Sequence, residues 1–418
     1  MVMAKQTATV AGQFRFEIQL RKMNKYMNDL TTQKRIIYII LGVAIFGLLG
    51  FFLYSFFSPP IEKSSISQKP TTGRIQPVPL TTTGEKPPKE LKPSETIETK
   101  AGQKLIKITD FSVVSPTINK EGTKLLFYKK DGGGLFSSSF DGTDQQKISN
   151  LTILGMTEAL WSPTKDRAAI FYLDQEILKG FLHIGTSSVA ILPQETRSFA
   201  WSPDGKSLAY LLSQDNKINL IVGDSSGKNA KTVFSTPLLD AKINWVSTDR
   251  ISFQTAPSSL APGFIFTFFK NSGAFNKVIG PFFGLTSLWS PDGSKVLIST
   301  TNSAGKNLKA AVGDLNGKAL LDLNIKTMAD KCVWLNSNEF YCAVPKNILA
   351  ETVWPDEYLR GEINPTDLIV YLNLEKKETR EIFKEQSFDI SDLLVSKNKD
   401  YLFFVNRGDG ILWALKLK

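Results

Sequence analysis

The chain has 418 residues, 22% charged and 42% hydrophobic, a composition that excludes wholesale disorder and permits a large core. A single histidine, His183, and two cysteines exclude a multi-histidine metal centre and most histidine-cysteine zinc sites, and we expect no cofactor. Of the net charge of +10, residues 1–57 carry +5 and residues 58–103 carry +2. Because the remaining residues carry only +3, we predict that nucleic acid is not a partner.

An uncharged run of 22 residues, Ile36–Phe57, is long enough to cross the hydrocarbon layer of about 30 Å as a helix. The competing interpretation is a cleaved signal peptide, whose apolar region of about 7 to 15 residues ends at a small-residue cleavage site. The sequence after Phe57 is Ser-Pro-Pro, which favours an uncleaved anchor in the lipid bilayer. Basic residues are denser before the run than after it, so residues 1–35 are predicted to form a cytoplasmic tail and the rest to lie outside the cell.

Residues 58–103 contain eight prolines, many serines and threonines, and no aromatic residue. Such a segment cannot bury enough apolar surface to offset the entropy of ordering it. We therefore predict an extended linker that holds the following domain away from the membrane.

Beyond this linker the sequence repeats. Tryptophans 161, 201, 245, 289 and 334 follow one another at spacings of 40, 44, 44 and 45 residues, and weaker units precede and follow them. In the clearest repeats the tryptophan is followed by Ser-Pro-Asp-Gly and an apolar run, which predicts a strand, a tight turn and a returning strand. With two further strands, each repeat forms a four-stranded sheet.

Sheets of this kind at this period are the blades of a β-propeller. The sequence therefore predicts an all-β fold over residues 104–418, a seven-bladed β-propeller of four-stranded blades. The last repeat contains only three strands, so we expect residues 103–109 to supply its outer strand and to close the ring.

The Trp-Ser-Pro-Asp-Gly units at 201–205 and 289–293 resemble the repeats of TolB-like β-propellers of bacterial envelope proteins. The whole chain is also similar to uncharacterised membrane-anchored propeller proteins of candidate-phylum bacteria. That likeness is carried by the anchor, the linker, the 332–345 hairpin and the segment beginning at Trp354. The resemblance implies a propeller and says little about activity.

Two motifs with catalytic associations are weak here. Residues 223–227 fit the Gly-x-Ser-x-Gly pattern, but that motif requires a strand-to-helix turn and these residues lie between two predicted strands. His183, the only imidazole, is predicted to be an ordinary strand residue. No catalytic residue and no metal ligand is therefore assigned.

Cys332 and Cys342 lie on either side of the Trp334 hairpin, at equal distances from Ser337. Opposite positions on antiparallel strands can come within disulfide range, and a domain outside the cell permits oxidation. The sequence is compatible with a cross-strand disulfide and with two buried thiols.

A 22-residue connection, 346–367, carries the candidate partner-binding residues Trp354, Glu357, Tyr358 and Arg360. Aromatic and arginine side chains are favoured at binding hot spots, and loops on a rigid scaffold are where function concentrates. The alternative is that Trp354 packs this insertion against its own blade.

The first functional hypothesis is a non-enzymatic binding or scaffold module for a protein or an envelope glycan. The second is a carbohydrate-active or hydrolytic enzyme that uses carboxylates in the propeller channel, since acid–base chemistry requires only two carboxyl groups. A third is a structural spacer. Inward-facing carboxylates with raised pKa values would favour the enzyme, and small neutral side chains would favour the binding module.

Overall fold

The computed structural model describes residues 95–99, 102–214, 216–238, 240–318, 320–384 and 386–417. All of them belong to one compact unit, Pro87–Lys418. The predicted tail, the predicted transmembrane helix and the linker as far as residue 94 lie outside the described residues. Within the ranges given above, no helix has the length and apolar character needed to cross a membrane.

The repeat turns form as predicted, and hydrogen bonds explain their sequence. In the turn at 202–207, Ser202 Oγ accepts the backbone N–H of Ser207 (2.9 Å) and donates to the carboxylate of Asp204 (2.6 Å). Gly205 donates its N–H to the carbonyl of Ser202 and has a φ of +69°, a conformation that glycine adopts without a steric penalty. The equivalent hydrogen bonds to serine recur at 290–295.

The turns join neighbouring strands of antiparallel sheets, and four of the sheets have four strands and are separate from one another. The first contains β3 (Val113–Ile118), β4 (Leu125–Lys129), β5 (Leu135–Ser138) and β6 (Gln146–Lys147). The second contains β7 (Met156–Trp161), β8 (Arg167–Asp174), β9 (Ile177–Ile184) and β10 (Ser188–Ile191). The third contains β11 (Thr196–Trp201), β12 (Ser207–Gln214), β13 (Lys217–Asp224) and β14 (Lys231–Thr236). The fourth contains β22 (Cys332–Trp334), β23 (Glu339–Pro345), β24 (Asp367–Asn373) and β25 (Glu378–Phe383), and follows a 3₁₀ turn at Ala329–Lys331.

A seven-stranded sheet lies between the third and fourth of these sheets in the chain. Its strand β18 has 15 residues; the first part pairs with β17 and the second part with β19, so two four-stranded units share one strand. Its strands are β15 (Ala241–Ser247), β16 (Arg250–Thr255), β17 (Gly263–Phe269), β18 (Phe275–Trp289), β19 (Lys295–Thr301), β20 (Lys309–Asp314) and β21 (Leu321–Asp322).

The predicted closure of the ring is confirmed. The last three strands are β26 (Ile390–Val395), β27 (Tyr401–Asn406) and β28 (Ile411–Lys416), and the outer strand beside them is β2 (Lys104–Lys107). The register pairs Lys104 with Lys416 and Lys107 with Trp413. The two ends of the domain thus share one sheet.

This closing sheet has a fifth strand that the sequence analysis did not anticipate. Strand β1 (Thr96–Glu98) pairs antiparallel with β2, with Ile97 opposite Leu105. The boundary placed at residue 103 is corrected here, because residues 96–98 belong to the sheet. Ile97 packs against the core cluster that contains Leu105 and Trp413, and this contact holds the short strand against the sheet.

Apolar side chains between adjacent sheets form the core, and the repeated tryptophans connect one sheet to the one before it. Trp201 packs in a cluster with Phe171 and Leu182 of the preceding sheet. Three indole groups donate a hydrogen bond to a backbone carbonyl of the preceding unit: Trp161 to Ser115 (2.8 Å), Trp201 to Leu160 (2.7 Å) and Trp334 to Leu288 (3.1 Å). The repeat tryptophan therefore serves inter-sheet packing as well as ending its own strand.

Candidate functional site

The connection between β23 and β24 is folded onto the domain by the two aromatic residues that the sequence suggested as partner contacts. Trp354 is 2% exposed and Tyr358 6% exposed, and their rings stack with centroids 5.4 Å apart. They share a core cluster with Leu308 and Met328. Trp354 and Tyr358 are thus corrected to packing residues: burial of their apolar rings anchors the insertion, as the alternative interpretation proposed.

Tyr358 lies on a short helix, α1 (Asp356–Leu359), and its hydroxyl reaches a buried charged cluster. The hydroxyl accepts a hydrogen bond from Lys331 Nζ (3.1 Å) and donates one to Asp389 Oδ1 (3.1 Å). Lys331 Nζ also contacts Asp367 Oδ2 at 2.8 Å and Asp389 Oδ1 at 2.7 Å. Arg407 Nη2 donates to the carbonyl of Tyr358 (2.7 Å), and its guanidinium lies 4.1 Å from the ring centroid. We call these five residues the Lys331 cluster.

Charge pairing makes burial of the Lys331 cluster tolerable. The side chains of Lys331, Asp367 and Asp389 are 2%, 0% and 3% exposed. Burial lowers the pKa of Lys331, but the charges of Asp367, Tyr358 and Asp389 outweigh this and raise it overall. Burial raises the pKa of Asp367 to about 6, against the opposing effect of Lys331. Two aspartates and two cations balance one another, which is how buried charges are accommodated in proteins.

Two further contacts fix the insertion to neighbouring loops. The carboxylate of Asp356 accepts the backbone N–H of Ser259 at 2.8 Å, which joins α1 to the connection 256–262 between β16 and β17. Lys306 Nζ donates to the carbonyl of Thr352 at 3.1 Å. Segments 256–262 and 346–366 therefore form one continuous surface, which we call the loop surface.

Large apolar side chains are exposed on the loop surface. Leu260, Leu349 and Leu359 are 87%, 71% and 47% exposed. Of the two charged residues suggested from the sequence, Arg360 lies on the surface and pairs with Glu362 at 2.5 Å, and Glu357 is half-buried. The loop surface thus combines exposed leucines with a charged border.

A second group of charged residues lies at the centre of the ring. The first strands of successive sheets contact one another, β3 with β7, β7 with β11 and β11 with β15, and β26 with β3. Glu158, Lys242 and Asp392 project from β7, β15 and β26, and Asp330 lies in the 3₁₀ turn before β22. All four side chains are reached by solvent, although the surrounding protein removes part of the hydration of the three carboxyl groups. We call them the channel group.

Electrostatic coupling shows that the channel group shares one space. The pKa of Glu158 is raised, first by burial and further by the charge of Asp392, while Lys242 lowers it. Burial raises the pKa of Asp330, and Lys242 again opposes the change. Burial likewise raises the pKa of Asp392. Lys242 thus acts on carboxyl groups beside two other sheets, and Asp392 acts on Glu158, so these residues lie close enough for their charges to interact.

The channel meets the condition set for the enzyme hypothesis, because it contains inward-facing carboxylates with raised pKa values. Three carboxyl groups accompany one lysine, so the channel group carries a net negative charge when its carboxyl groups are ionised, and this charge favours cations over anions. No group of histidine, cysteine, aspartate or glutamate suited to a metal ion occurs in the part of the chain that the structure describes.

The two weak catalytic motifs take the structural roles predicted for them. His183 is 1% exposed in β9, and its Nδ1 forms a hydrogen bond of 2.8 Å with the hydroxyl of Tyr128. Ser226, the serine of the Gly-x-Ser-x-Gly pattern, lies in the turn between β13 and β14 and donates to Asp224 Oδ1 at 2.6 Å. Neither residue contacts the other, so no serine triad is present among them.

Cys332 and Cys342 form a disulfide in the structure. They are directly opposite one another on β22 and β23, as the symmetrical spacing indicated. Cys332 immediately follows Lys331, so the disulfide constrains the backbone beside the Lys331 cluster.

Sequence reasoning missed both charged groups. A signal existed for part of the channel group: Glu158 and Lys242 each lie three residues before a repeat tryptophan, within otherwise uncharged first strands. Lys331 carries the same signal, since it lies three residues before Trp334, but none marks Asp367 and Asp389, which are distant from it in sequence and meet it only in the folded chain.

Comparison with known proteins supports the fold. No protein-family model matches the chain, and no curated protein matches it. Oligogalacturonate lyase from Vibrio parahaemolyticus is similar in structure, with a TM-score of 0.57 and 13% identity over 78% of this chain and 97% of that one. The β-propeller domain of the Trilobed protease from Pyrococcus furiosus has a TM-score of 0.50 and 13% identity, over 73% of this chain and 97% of that domain.

TolB from Acinetobacter baumannii is also similar, with a TM-score of 0.44 and 15% identity over 68% of this chain and 66% of that one. At these identities the likeness to the lyase and to the protease domain establishes the fold alone. The chain therefore has a β-propeller fold, in agreement with the repeats.

Proposed function

We propose that this chain is a binding or scaffold propeller whose partner contacts the loop surface. The observation that carries the proposal is the presence of Leu260, Leu349 and Leu359 on loops fixed by the Asp356–Ser259 hydrogen bond. Exposed apolar groups inside a charged border are typical of interaction sites. A protein partner is favoured over an envelope glycan, because the aromatic rings of the insertion are buried.

We further propose a seven-bladed propeller, anchored by residues 36–57 and held outside the cell by a linker. Seven blades follow if the seven-stranded sheet is counted as two units that share β18. The Cys332–Cys342 disulfide supports a location outside the cytoplasm, where disulfides persist. The anchor, its orientation and the likeness to candidate-phylum proteins rest on the sequence.

Photo-crosslinking in intact cells tests the loop surface. A photoreactive amino acid is placed at position 359, with a matched control at position 233, an exposed valine on the outer strand β14. We expect one discrete adduct from position 359 that mass spectrometry identifies as a protein, and that the second-site substitution Leu260→Asp removes. The absence of any adduct, or the same adduct from position 233, would contradict the proposal.

A second candidate function, a carboxylate-based hydrolase or lyase, is favoured by the channel group. Glu158 and Asp330 have raised pKa values, so one can retain a proton as a general acid while a neighbouring carboxylate acts as a base. The similar fold of an oligogalacturonate lyase makes oligosaccharides a reasonable substrate class. Because the channel carries three carboxylates, a neutral oligosaccharide suits it better than an acidic one.

The enzyme hypothesis is tested by incubating the purified chain with neutral oligosaccharides and with oligogalacturonate, and by measuring the reducing ends released and the unsaturated product. Catalysis by the channel group predicts that Glu158→Gln and Asp330→Asn each reduce the rate by about a hundredfold or more. Arg360→Gln on the loop surface is the control and should leave the rate unchanged. No turnover by the unmodified chain, or equal rates in all variants, would reject this function.

A further inference from the structure

The outer strand of the second sheet, β10, has a free edge. It pairs with β9 on one side, and no other strand among the described residues pairs with its other side. Its four residues are Ser-Val-Ala-Ile and carry no charge. A free edge presents unpaired backbone N–H and C=O groups that can pair with another strand.

The other outer strands are protected by charge. Charged side chains on an edge strand disfavour the addition of a further strand, because pairing would remove their hydration. In the described ranges each other outer strand contains at least one: Glu98 in β1, Lys147 in β6, Lys231 in β14, Lys277 in the first part of β18, Asp322 in β21 and Glu378 in β25. Strand β10 is the exception.

An apolar groove runs beside this edge. A cavity of about 620 Å³ lies between the segment 151–154 and the outer strands of the second sheet. Ile191 is 87% exposed at its border, Leu154 75%, Val189 49% and Leu173 48%. These four are among the most exposed large apolar side chains of the described chain, and they are gathered at one place. Contiguous exposed apolar surface of this kind indicates an interaction site.

The backbone at β10 is suitably oriented for pairing. Leu192 donates its N–H to the carbonyl of Gly180, which directs the hydrogen-bonding groups of alternate residues towards β9. In an antiparallel ladder the residues in between direct theirs to the opposite side. Val189 and Ile191 are these residues, so their backbone groups face the open edge while their side chains border the groove.

We propose that β10 and this groove bind an extended, uncharged, apolar segment of a partner polypeptide by addition of a strand. Charge complementarity defines the occupant. Among the described residues that line the groove, only Asp174 and Lys179 are charged, and these neutralise one another at 2.6 Å. A charged segment would lose hydration there without gaining a counter-ion, whereas an apolar one fills the groove. This site is separate from the loop surface, because β10 belongs to a different sheet.

Fluorescence anisotropy with a defined probe tests the proposal. The probe is a short blocked peptide of alternating threonine and valine, labelled with fluorescein, and the protein is the full chain in detergent. We expect saturable binding that Ile191→Lys weakens by about tenfold or more, since a charge is then placed in the groove. Ile191→Pro should weaken it similarly, because proline removes an outward N–H without breaking a bond to β9.

Matched controls separate binding from misfolding. Val233→Lys makes the same change on the outer strand β14 and should leave the affinity unchanged, and circular dichroism confirms the fold of each variant. The proposal is overturned if the unmodified chain shows no saturable binding, if both Ile191 variants bind normally, or if a probe with lysine in place of valine binds equally well. A concentration-dependent dimer that Ile191→Lys abolishes would also overturn it, since a second copy would then be the occupant.

Discussion

Asp330 and Lys331 are neighbours in the chain and belong to two charged groups with opposite surroundings. Lys331 is buried and contacts two carboxylates within 2.8 Å. Asp330 is reached by water, and no ion pair within the described residues includes it. Direct ion pairing allows the charges of the Lys331 cluster to be buried in the core. Among the residues that the structure describes, the channel group lacks such pairing, so its charges can exchange protons or bind a ligand. The channel group rather than the Lys331 cluster is therefore the candidate for chemistry.

The largest expected effect comes from removing the central cation of the buried group. Lys331→Met leaves Asp367 buried without a counter-ion and Asp389 with only Arg407, at 3.8 Å, so the free energy of unfolding should fall by about 3–5 kcal/mol in urea denaturation. Lys242→Met, the same substitution in the channel group, should change it by about 0.5 kcal/mol or less. Equal losses in the two variants would show that the contrast between the groups is wrong.

The disulfide beside Lys331 should have the next largest effect. It closes a loop with a sequence separation of 10 residues, so the double variant Cys332→Ser, Cys342→Ser should lose about 2–3 kcal/mol of stability. A reducing agent should lower the stability of the unmodified chain by a similar amount and have no effect on the double variant. Stability that is insensitive to the reductant in both proteins would count against this contribution.

The tyrosine that links the insertion to the buried group should contribute less. Tyr358→Phe removes a hydroxyl that forms hydrogen bonds with both Lys331 and Asp389, and we expect the free energy of unfolding to fall by about 1–2 kcal/mol. Tyr172→Phe is the control, because the Tyr172 hydroxyl has no hydrogen-bond partner in the described part of the chain. If both substitutions lower the free energy of unfolding equally, the hydroxyl of Tyr358 does not stabilise the Lys331 cluster.

The titration of Glu158 is the most direct test of the channel group, and the stability change linked to it should be the smallest of those considered. Carboxyl NMR, assigned with Glu158→Gln, should show a pKa above the ordinary value of 4.5. Lys242→Met should raise this pKa further and Asp392→Asn should lower it, because the two charges act in opposite directions. Unchanged midpoints in both variants would show that the residues do not share one space.

The sign of the associated stability change follows from the direction of the pKa shift. The folded state holds the Glu158 proton at a higher pH than the unfolded chain does. Relative to Glu158→Gln, the stability of the unmodified chain should therefore fall as the pH rises from below 4.5 through the folded-state pKa. Chemical denaturation of both proteins at a series of pH values measures this difference.

The fold was largely predictable because its signals are local and repeated. The Trp-Ser-Pro-Asp-Gly turns depend on residues a few positions apart, such as Ser202, Asp204 and Gly205, and can therefore be predicted directly from the sequence. The closing pair of β2 and β28 followed from counting strands in the last repeat. Strand β1 was missed because its three residues lie in a segment rich in proline and threonine.

The candidate site was only partly predictable. The insertion was located correctly, but its residue types left partner contact and packing both open for Trp354, and the structure buries Trp354 and Tyr358. Amino-acid type alone cannot separate these roles, because an aromatic side chain stabilises a core and an interface by the same removal of apolar surface from water. Leu260 and Leu359 were overlooked for the converse reason, since a leucine in sequence gives no sign that it is exposed.

By itself, the sequence determined the all-β repeat architecture, the position of the insertion and the pairing of Cys332 with Cys342 as one of two alternatives. Only the tertiary structure decided which charges are neutralised and which remain accessible to water. The physical reason is that hydrogen-bonded turns depend on neighbours in the chain. The energy of a charge depends instead on solvent and on partners such as Asp367 and Asp389, which the packing of two neighbouring sheets brings to Lys331 from distant positions.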